Sequence, residues 1–195
     1  PDNLIENQKL QHPIITPTTK SDTGHDEDIT PQEIIQSGLL SSEEWEKISN
    51  YAIKLFEDGS QYALTRNLLL VDTKYEFGFY YTPDNKKEIY LIDEVHTPDS
   101  SRYFYASEYE KNFKDGKPQR HLSKEVLREF LLKHGVTSPE AVKKFKFSED
   151  VIQQISNTYL QVYELLTGQK LDIPHDTPSI NDAIEKYIAS ILKNH

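Results

Sequence analysis

Cysteine is absent from the 195 residues, which excludes disulfides and thiolate metal sites alike. Methionine is absent too, and the chain opens Pro1-Asp2; we expect a processed, cut or partial form of a longer product. Glycine is scarce, and Gly24 is the only one in the first 37 residues. That stretch therefore holds no glycine-rich loop able to cradle phosphates. Positive charge is in deficit, with 22 Lys and Arg against 32 Asp and Glu and a net charge of -10. Such a chain lacks the basic footprint that a phosphate backbone requires. No apolar run reaches the roughly 18 residues of a membrane span, and no signal-peptide pattern opens the chain. The expectation is a soluble cytoplasmic protein with neither nucleic acid nor membrane as partner.

What is present suits a folded protein. Hydrophobic residues make up 36% and charged residues 28%, enough for a core without the signature of disorder. The length fits one domain, with or without a helical appendage. Residues 1–30 are polar, proline-containing and aperiodic, and read as an extended arm with a short strand at Ile14-Ile15. Residues 31–122 mix helix and strand signals. Thr30-Pro31-Gln32-Glu33 is a capping box with proline at the first helical position, and that helix should stop at Gly38. Ser41 opens a second helix whose stripe is Trp45, Ile48, Ala52, Leu55 and Phe56. Gly59 is a candidate interruption, and Asn67 a left-handed terminator. Residues 123–195 are helical: Ser123 to Gly135, Ser148 to Gly168 with Ile152, Ile155, Tyr159, Val162 and Leu166 inward, a linker over 172–178, and a last helix from Ser179.

The chemistry concentrates between 69 and 102. In Leu69-Leu70-Val71-Asp72-Thr73-Lys74-Tyr75-Glu76-Phe77, apolar residues alternate with Asp72, Lys74 and Glu76. On one continuous strand those three side chains share a face, and a face carrying two acids and a lysine is not a core face. A second strand over 88–96 follows the turn Thr82-Pro83-Asp84-Asn85. If Tyr80 pairs with Ile89, Glu76 stands opposite Asp93, with β-carbons about 5 Å apart. Two carboxylates so placed repel unless a cation lies between them or one is protonated. Mg²⁺ is held by one or two carboxylates together with phosphates, so this register predicts a metal–phosphate site. A slip of one residue removes the pairing. A two-stranded hairpin cannot cover its own apolar face, so further strands must come from the arm or from upstream chain.

These motifs resemble the SAICAR synthetase family. The resemblance rests on Thr16-Pro17-Thr18-Thr19-Lys20, Gly24-His25-Asp26-Glu27, Val71 to Gly78, Asp93-Glu94-Val95 and Thr97-Pro98-Asp99-Ser100-Ser101-Arg102, in that order, and extends from about Asn7 to Gly168. It implies an α+β fold of the SAICAR synthetase type: an antiparallel sheet packed with helices, a helical C-terminal region, and the arm lining a cleft. It implies an ATP-dependent ligase of purine biosynthesis that joins L-aspartate to the carboxylate of CAIR, an aminoimidazole ribonucleotide, through an acyl phosphate, with Mg²⁺ and ATP as cofactors. Members also carry an N-terminal β-rich lobe with the glycine-rich phosphate loop. None of that lobe is here, so the chain reads as the C-terminal portion, unable to turn over alone.

The resemblance makes Glu76 and Asp93 the metal ligands; the plain alternative is a solvated pair on an exposed strand face. Lys74 contacts an ATP phosphate or a substrate carboxylate, or else forms a cross-strand salt bridge. Asp72 reads as a strand-start residue bonded to backbone amides. Asp99, Ser100 and Arg102, in a loop leaving the second strand, are assigned to CAIR, since a guanidinium fork suits phosphate; ordinary turn and cap chemistry is the alternative for Asp99 and Ser100. Lys20 is a tethered cation for a substrate carboxylate, with His25 and Asp26 beside it in the cleft. Lys124 and Arg128, one turn apart, are weaker substrate contacts. His96 and Trp45 read as structural. Two rivals stand beside the ligase: a non-catalytic module that binds CAIR or nucleotide, and another ATP-dependent carboxylate ligase or kinase.

Overall fold

In a computed structural model, residues 3–20, 26–171 and 180–192 are described. The elements are α1 (Pro31–Gln36), α2 (Ser42–Thr65), β1 (Leu68–Thr73), β2 (Glu76–Tyr81), β3 (Lys87–Ile92), β4 (Ser101–Tyr105), α3 (Ala106–Lys114), α4 (Glu125–Lys133), α5 (Pro139–Lys144), α6 (Glu149–Thr167) and α7 (Ile180–Leu192). The class is α+β. Both α1 and α2 begin with full capping boxes, on Thr30–Glu33 and Ser41–Glu44, which satisfy the orphan amides of each first turn. Helix α2 runs unbroken through Gly59. The glycine serves close approach instead, because a β-carbon there would lie 2.2 Å from His96 Cε1. Asn67, at φ 59, ends the helix in the left-handed region.

The long strand expected over 69–81 is split. Lys74 and Tyr75 separate β1 from β2, and the two halves join different sheets: β1 pairs antiparallel with β4, and β2 with β3. The register slips between Leu70 and Asp72, leaving Val71 as a bulge. The shared face expected for Asp72, Lys74 and Glu76 is therefore not that of one strand. The extra strand comes from β4, within the chain. Ile14-Ile15 is not a strand, and the described part of the arm carries one isolated bridge, Thr18 to Asp28.

The hairpin register also differs by one residue from the expected one. Tyr80 pairs with Glu88 and Glu76 with Ile92. The turn explains the shift. Thr82 N–H donates to Lys86 O at 2.9 Å, and Lys86 N–H donates to Thr82 Oγ1 at 3.0 Å. Thr82 and Lys86 thus close a three-residue loop, with Asn85 at φ 60 supplying the left-handed position such loops use.

The core lies where α2, β1, β4 and α6 meet. Ala63, Leu68, Leu70, Tyr103, Leu122 and Val162 are buried in one cluster, with Phe56, Tyr105, Leu165 and Leu166 packed around it. Tyr62 Oη donates to Leu166 O at 2.5 Å and ties α2 to α6. The inward stripe of α6 is covered only toward its C-terminal end: Val162 is fully buried and Ile152 is 49% exposed. Ser123 sits one residue earlier than expected; Lys124 is the N-cap of α4, and Ser123 Oγ accepts from Glu125 N–H at 3.2 Å. The proposed linker and Ser179 lie outside the described residues. Leu68 is completely buried, so Leu68→Ala should cost about 2–5 kcal/mol. A urea titration should show a lower midpoint with little change in slope.

Candidate functional site

The loop from β3 to β4 does most to shape the cleft. Asp93 and His96 both take left-handed backbone, at φ 66 and 57, so the chain leaves the ladder sharply after Ile92. Thr97 then folds the next residues on themselves. Its N–H donates to Ser100 Oγ at 3.1 Å, its Oγ1 accepts from Ser100 N–H at 3.1 Å, and Oγ1 also donates to Glu94. Lys124 N–H reaches Pro98 O at 3.3 Å, and Lys74 N–H reaches Ser100 O at 3.0 Å. The β1–β2 break, this loop, the start of β4 and the start of α4 enclose a polar cavity of about 520 Å³.

Glu76 and Asp93 both line that cavity. They do not meet as cross-strand partners, since Ile92 stands opposite Glu76. Asp93 comes toward the same space because its left-handed backbone turns it off the strand, and its charge acts on Lys20. The Glu76 side chain is 13% exposed and is paired with Lys20 from the arm and with Lys74 at 3.0 Å. Lys74 also holds Asp26 at 3.0 Å. The two lysines, Lys20 foremost, keep the Glu76 carboxyl below the usual glutamate range. Asp26 and then Glu76 raise the Lys74 pKa. What this pairing contributes to stability is present above the ordinary glutamate pKa of 4.5 and is lost as pH falls through the depressed value. The contribution is small, because the Lys20 side chain is 69% exposed.

The donor set fits a hard cation. Glu76 and Asp93 are two of the carboxylates lining one cavity, and the ammoniums of Lys20 and Lys74 balance the charge of Glu76. No group of three or more acidic or histidine side chains is gathered for a metal among the described residues. Mg²⁺ takes oxygen ligands from one or two carboxylates and completes its shell with phosphates and water.

Arg102 lies on β4, not in a loop. It stands in register opposite Asp72 and grips that carboxylate with both arms of its fork, Nε to Oδ1 at 2.9 Å and Nη2 to Oδ2. Asp72 raises the Arg102 pKa further. Asp72 is thus the partner of Arg102 rather than a receptor of backbone amides. Asp99, Ser100, Lys124 and Arg128 line the same cavity. Lys124 lies 3.7 Å from Asp99, and Arg128 lies 3.9 Å from Glu125. Ser100 also builds the Thr97 turn, so its hydroxyl has a structural duty. His25 lies outside the described residues. Asp72, read above as a strand-start residue, lines the cleft, as do Glu94 and Glu125, to which the sequence reading gave no role. The alternation around Asp72 and the Asp93-Glu94 pair were usable signals for the first two; Glu125 has none beyond its place in a first helical turn. A second cavity of about 580 Å³, between α4 and α6, is lined by Gln153, Gln154 and Asn157 among others and contains none of the motif residues.

Comparison with known proteins identifies the family. The SAICAR synthetase family profile matches residues 1–145. A phosphoribosylaminoimidazole-succinocarboxamide synthase from Bacteroides thetaiotaomicron is 44% identical over 193 residues, covering 98% of this chain and 60% of that protein. One from Flavobacterium psychrophilum is 42% identical over 195 residues and is likewise covered to 60%. Among solved structures, a Saccharomyces cerevisiae SAICAR synthase complexed with SAICAR superposes with a TM-score of 0.70 at 31% identity, over 89% of this chain and 52% of that one. A SAICAR synthetase in complex with ADP gives 0.61 at 27% identity, over 87% of this chain and 57% of that one. This chain spans about 60% of the length of such curated relatives. Among the described residues no helix is long and apolar enough to cross a membrane. By sequence and by fold, the chain belongs to the SAICAR synthetase family.

Proposed function

We propose that this chain forms part of the catalytic cleft of an ATP-dependent ligase that joins L-aspartate to the carboxylate of CAIR, giving SAICAR in cytoplasmic purine biosynthesis. One observation carries the reading: Glu76, Asp93, Lys74, Asp99 and Arg102 converge on a single cavity, in a chain of this family. The SAICAR and ADP complexes of the two structural relatives supply the ligand classes.

The chemistry sets the roles. A carboxylate resists amine attack until one of its oxygens becomes a leaving group. The CAIR carboxylate oxygen attacks the terminal phosphorus of ATP, ADP departs, and an acyl phosphate results. The aspartate amine then attacks the acyl carbon, phosphate leaves, and the nitrogen sheds a proton. Phosphoryl transfer needs charge neutralisation and alignment more than covalent help. Glu76 and Asp93 would hold Mg²⁺, which when bound neutralises charge on the phosphates. Lys74, swung from Asp26 and Glu76, offers an ammonium to a phosphate or a substrate carboxylate. Arg102 presents a fork to the CAIR phosphate. Asp99 accepts from ribose hydroxyls or the base amino group, and Ser100 adds a hydroxyl beside it. Lys20, Lys124 and Arg128 supply further positive charge for substrate carboxylates or phosphate, and Asp26, which holds Lys74, borders the same cleft. The N-terminal lobe implied by the family would bring the glycine-rich phosphate loop.

A second reading is a module that binds CAIR or nucleotide without turnover. The coverage of the relatives favours keeping it, since 60% of their length need not hold a complete site. Calorimetric titration of the chain with CAIR and with Mg-ATP separates the two. Turnover that appears only when an N-terminal lobe is added supports the ligase, CAIR binding with no turnover even then supports the module, and no binding of either ligand removes both readings.

A further inference from the structure

The ring of His96 sits at a junction that the cleft chemistry leaves unexplained. It occupies a notch in α2 made by the missing side chain of Gly59, where a β-carbon would come within 2.2 Å of Cε1 and 2.7 Å of Nδ1. Its Nε2 shares a 2.5 Å hydrogen bond with Tyr75 Oη, and the two rings meet edge-on with centroids 5.5 Å apart. Its carbonyl accepts from Tyr103 Oη at 2.7 Å, and Tyr103 is a core residue, 1% exposed. Its own backbone is left-handed, a conformation that costs energy in any residue but glycine and persists where the surroundings over-determine it.

Tyr75 is flanked by Lys74 and Glu76, and His96 lies in the loop that begins at Asp93 and contains Asp99. One imidazole therefore fastens the segment bearing Lys74 and Glu76 and the segment bearing Asp93 and Asp99 to the same point on α2. We propose that His96, seated on Gly59 and held by Tyr75 and Tyr103, is a positioning residue that sets the spacing of the two acid-bearing segments for cation and phosphate binding. The inference rests on the cleft assignment given above. It extends it to residues that touch neither substrate nor metal.

Three amides report on the junction: Lys74 N–H to Ser100 O and Ser101 N–H to Thr97 O, both at 3.0 Å, and Thr97 N–H to Ser100 Oγ at 3.1 Å. His96→Asn keeps a residue that tolerates left-handed backbone and removes the reach to Tyr75. Gly59→Ala fills the notch from the other side. Each should lower hydrogen-exchange protection at the three amides by about tenfold, and the double variant should be no worse than His96→Asn alone, because both act through one contact. Mn²⁺ serves as the cation probe, read by the loss of its free paramagnetic signal. Its affinity for His96→Asn should fall roughly 10- to 100-fold, as for other outer-shell changes. Unchanged protection in His96→Asn, or fully multiplicative effects in the double variant, would overturn the junction. A loosened loop with unaltered Mn²⁺ affinity would overturn its positioning role. If the unaltered chain binds no Mn²⁺ either alone or with ADP present, the cleft assignment fails and the positioning role with it, while the exchange data still decide the junction.

Discussion

Glu76→Gln should abolish ATP-dependent ligation in a ligation-competent protein carrying this chain, while leaving the fold intact. The Glu76 side chain is 13% exposed, whereas Asp93 is an exposed residue, and the partners Lys20 and Lys74 are exposed. Glutamine keeps the shape and one acceptor but loses the charge that grips a hard cation. Removing one preorganised electrostatic contact at a reacting centre typically lowers turnover by about 10² to 10³; loss of a ligand to the ion itself belongs at the upper end. At 1.36 kcal/mol per decade, that is about 4 kcal/mol of barrier. Stability should move by less than about 1 kcal/mol, since exposed ion pairs contribute little. The measurements are steady-state turnover and a thermal melt on the same sample. Unimpaired turnover would remove Glu76 from the cation site.

Arg102→Ala should raise the CAIR requirement far more than the aspartate requirement. The guanidinium already displays both arms to Asp72, and that planar geometry can instead receive two phosphate oxygens. A hydrogen bond to a charged group is worth about 1.5–3 kcal/mol; with the pairing to Asp72 given up on binding, a net gain of about one such bond is lost, and KM for CAIR should rise by about 10- to 100-fold. Asp72, left behind, is 46% exposed and can be rehydrated, so the fold should tolerate the change. Arg102→Lys should not restore binding, because an ammonium cannot reproduce the fork. Separate KM determinations for the two substrates decide the matter. A larger effect on aspartate would mean that the two pockets are exchanged.

The local signals in the sequence were the dependable ones. The Thr30 capping box, the helix start at Ser41, the left-handed Asn67 and the glycine stop at 168 are each encoded within a few residues, and each is where the pattern put it. Lys74, Glu76, Asp93, Asp99, Ser100 and Arg102, which line the cavity, stand in short continuous motifs, the same ones that carry the family resemblance. What the sequence did not disclose is non-local. Nothing in 69–81 marks Lys74-Tyr75 as a break, since the apolar alternation runs straight through it; the break is imposed by β4 pairing with β1. The hairpin register depended on whether the turn closes on two or three residues, which hydrogen bonds at Thr82 and Lys86 decide. Gly59 read as a helix interruption because its neighbour, His96, is far along the chain. Asp72 and Arg102 are likewise paired across 30 positions.

The hairpin turn sets a dimension of the cleft. Pro83-Asp84-Asn85 lies at the far tip of β2 and β3, where added or lost residues are ordinarily harmless. Here the loop length fixes how far β3 has slid along β2 by the time it delivers Asp93. One residue more or fewer would move that delivery point by about a strand step of 3.4 Å, enough to take Asp93 out of reach of the cation site proposed for it and Glu76. The tip thus acts as a ruler, and edits to its length should be read at the opposite end of the hairpin.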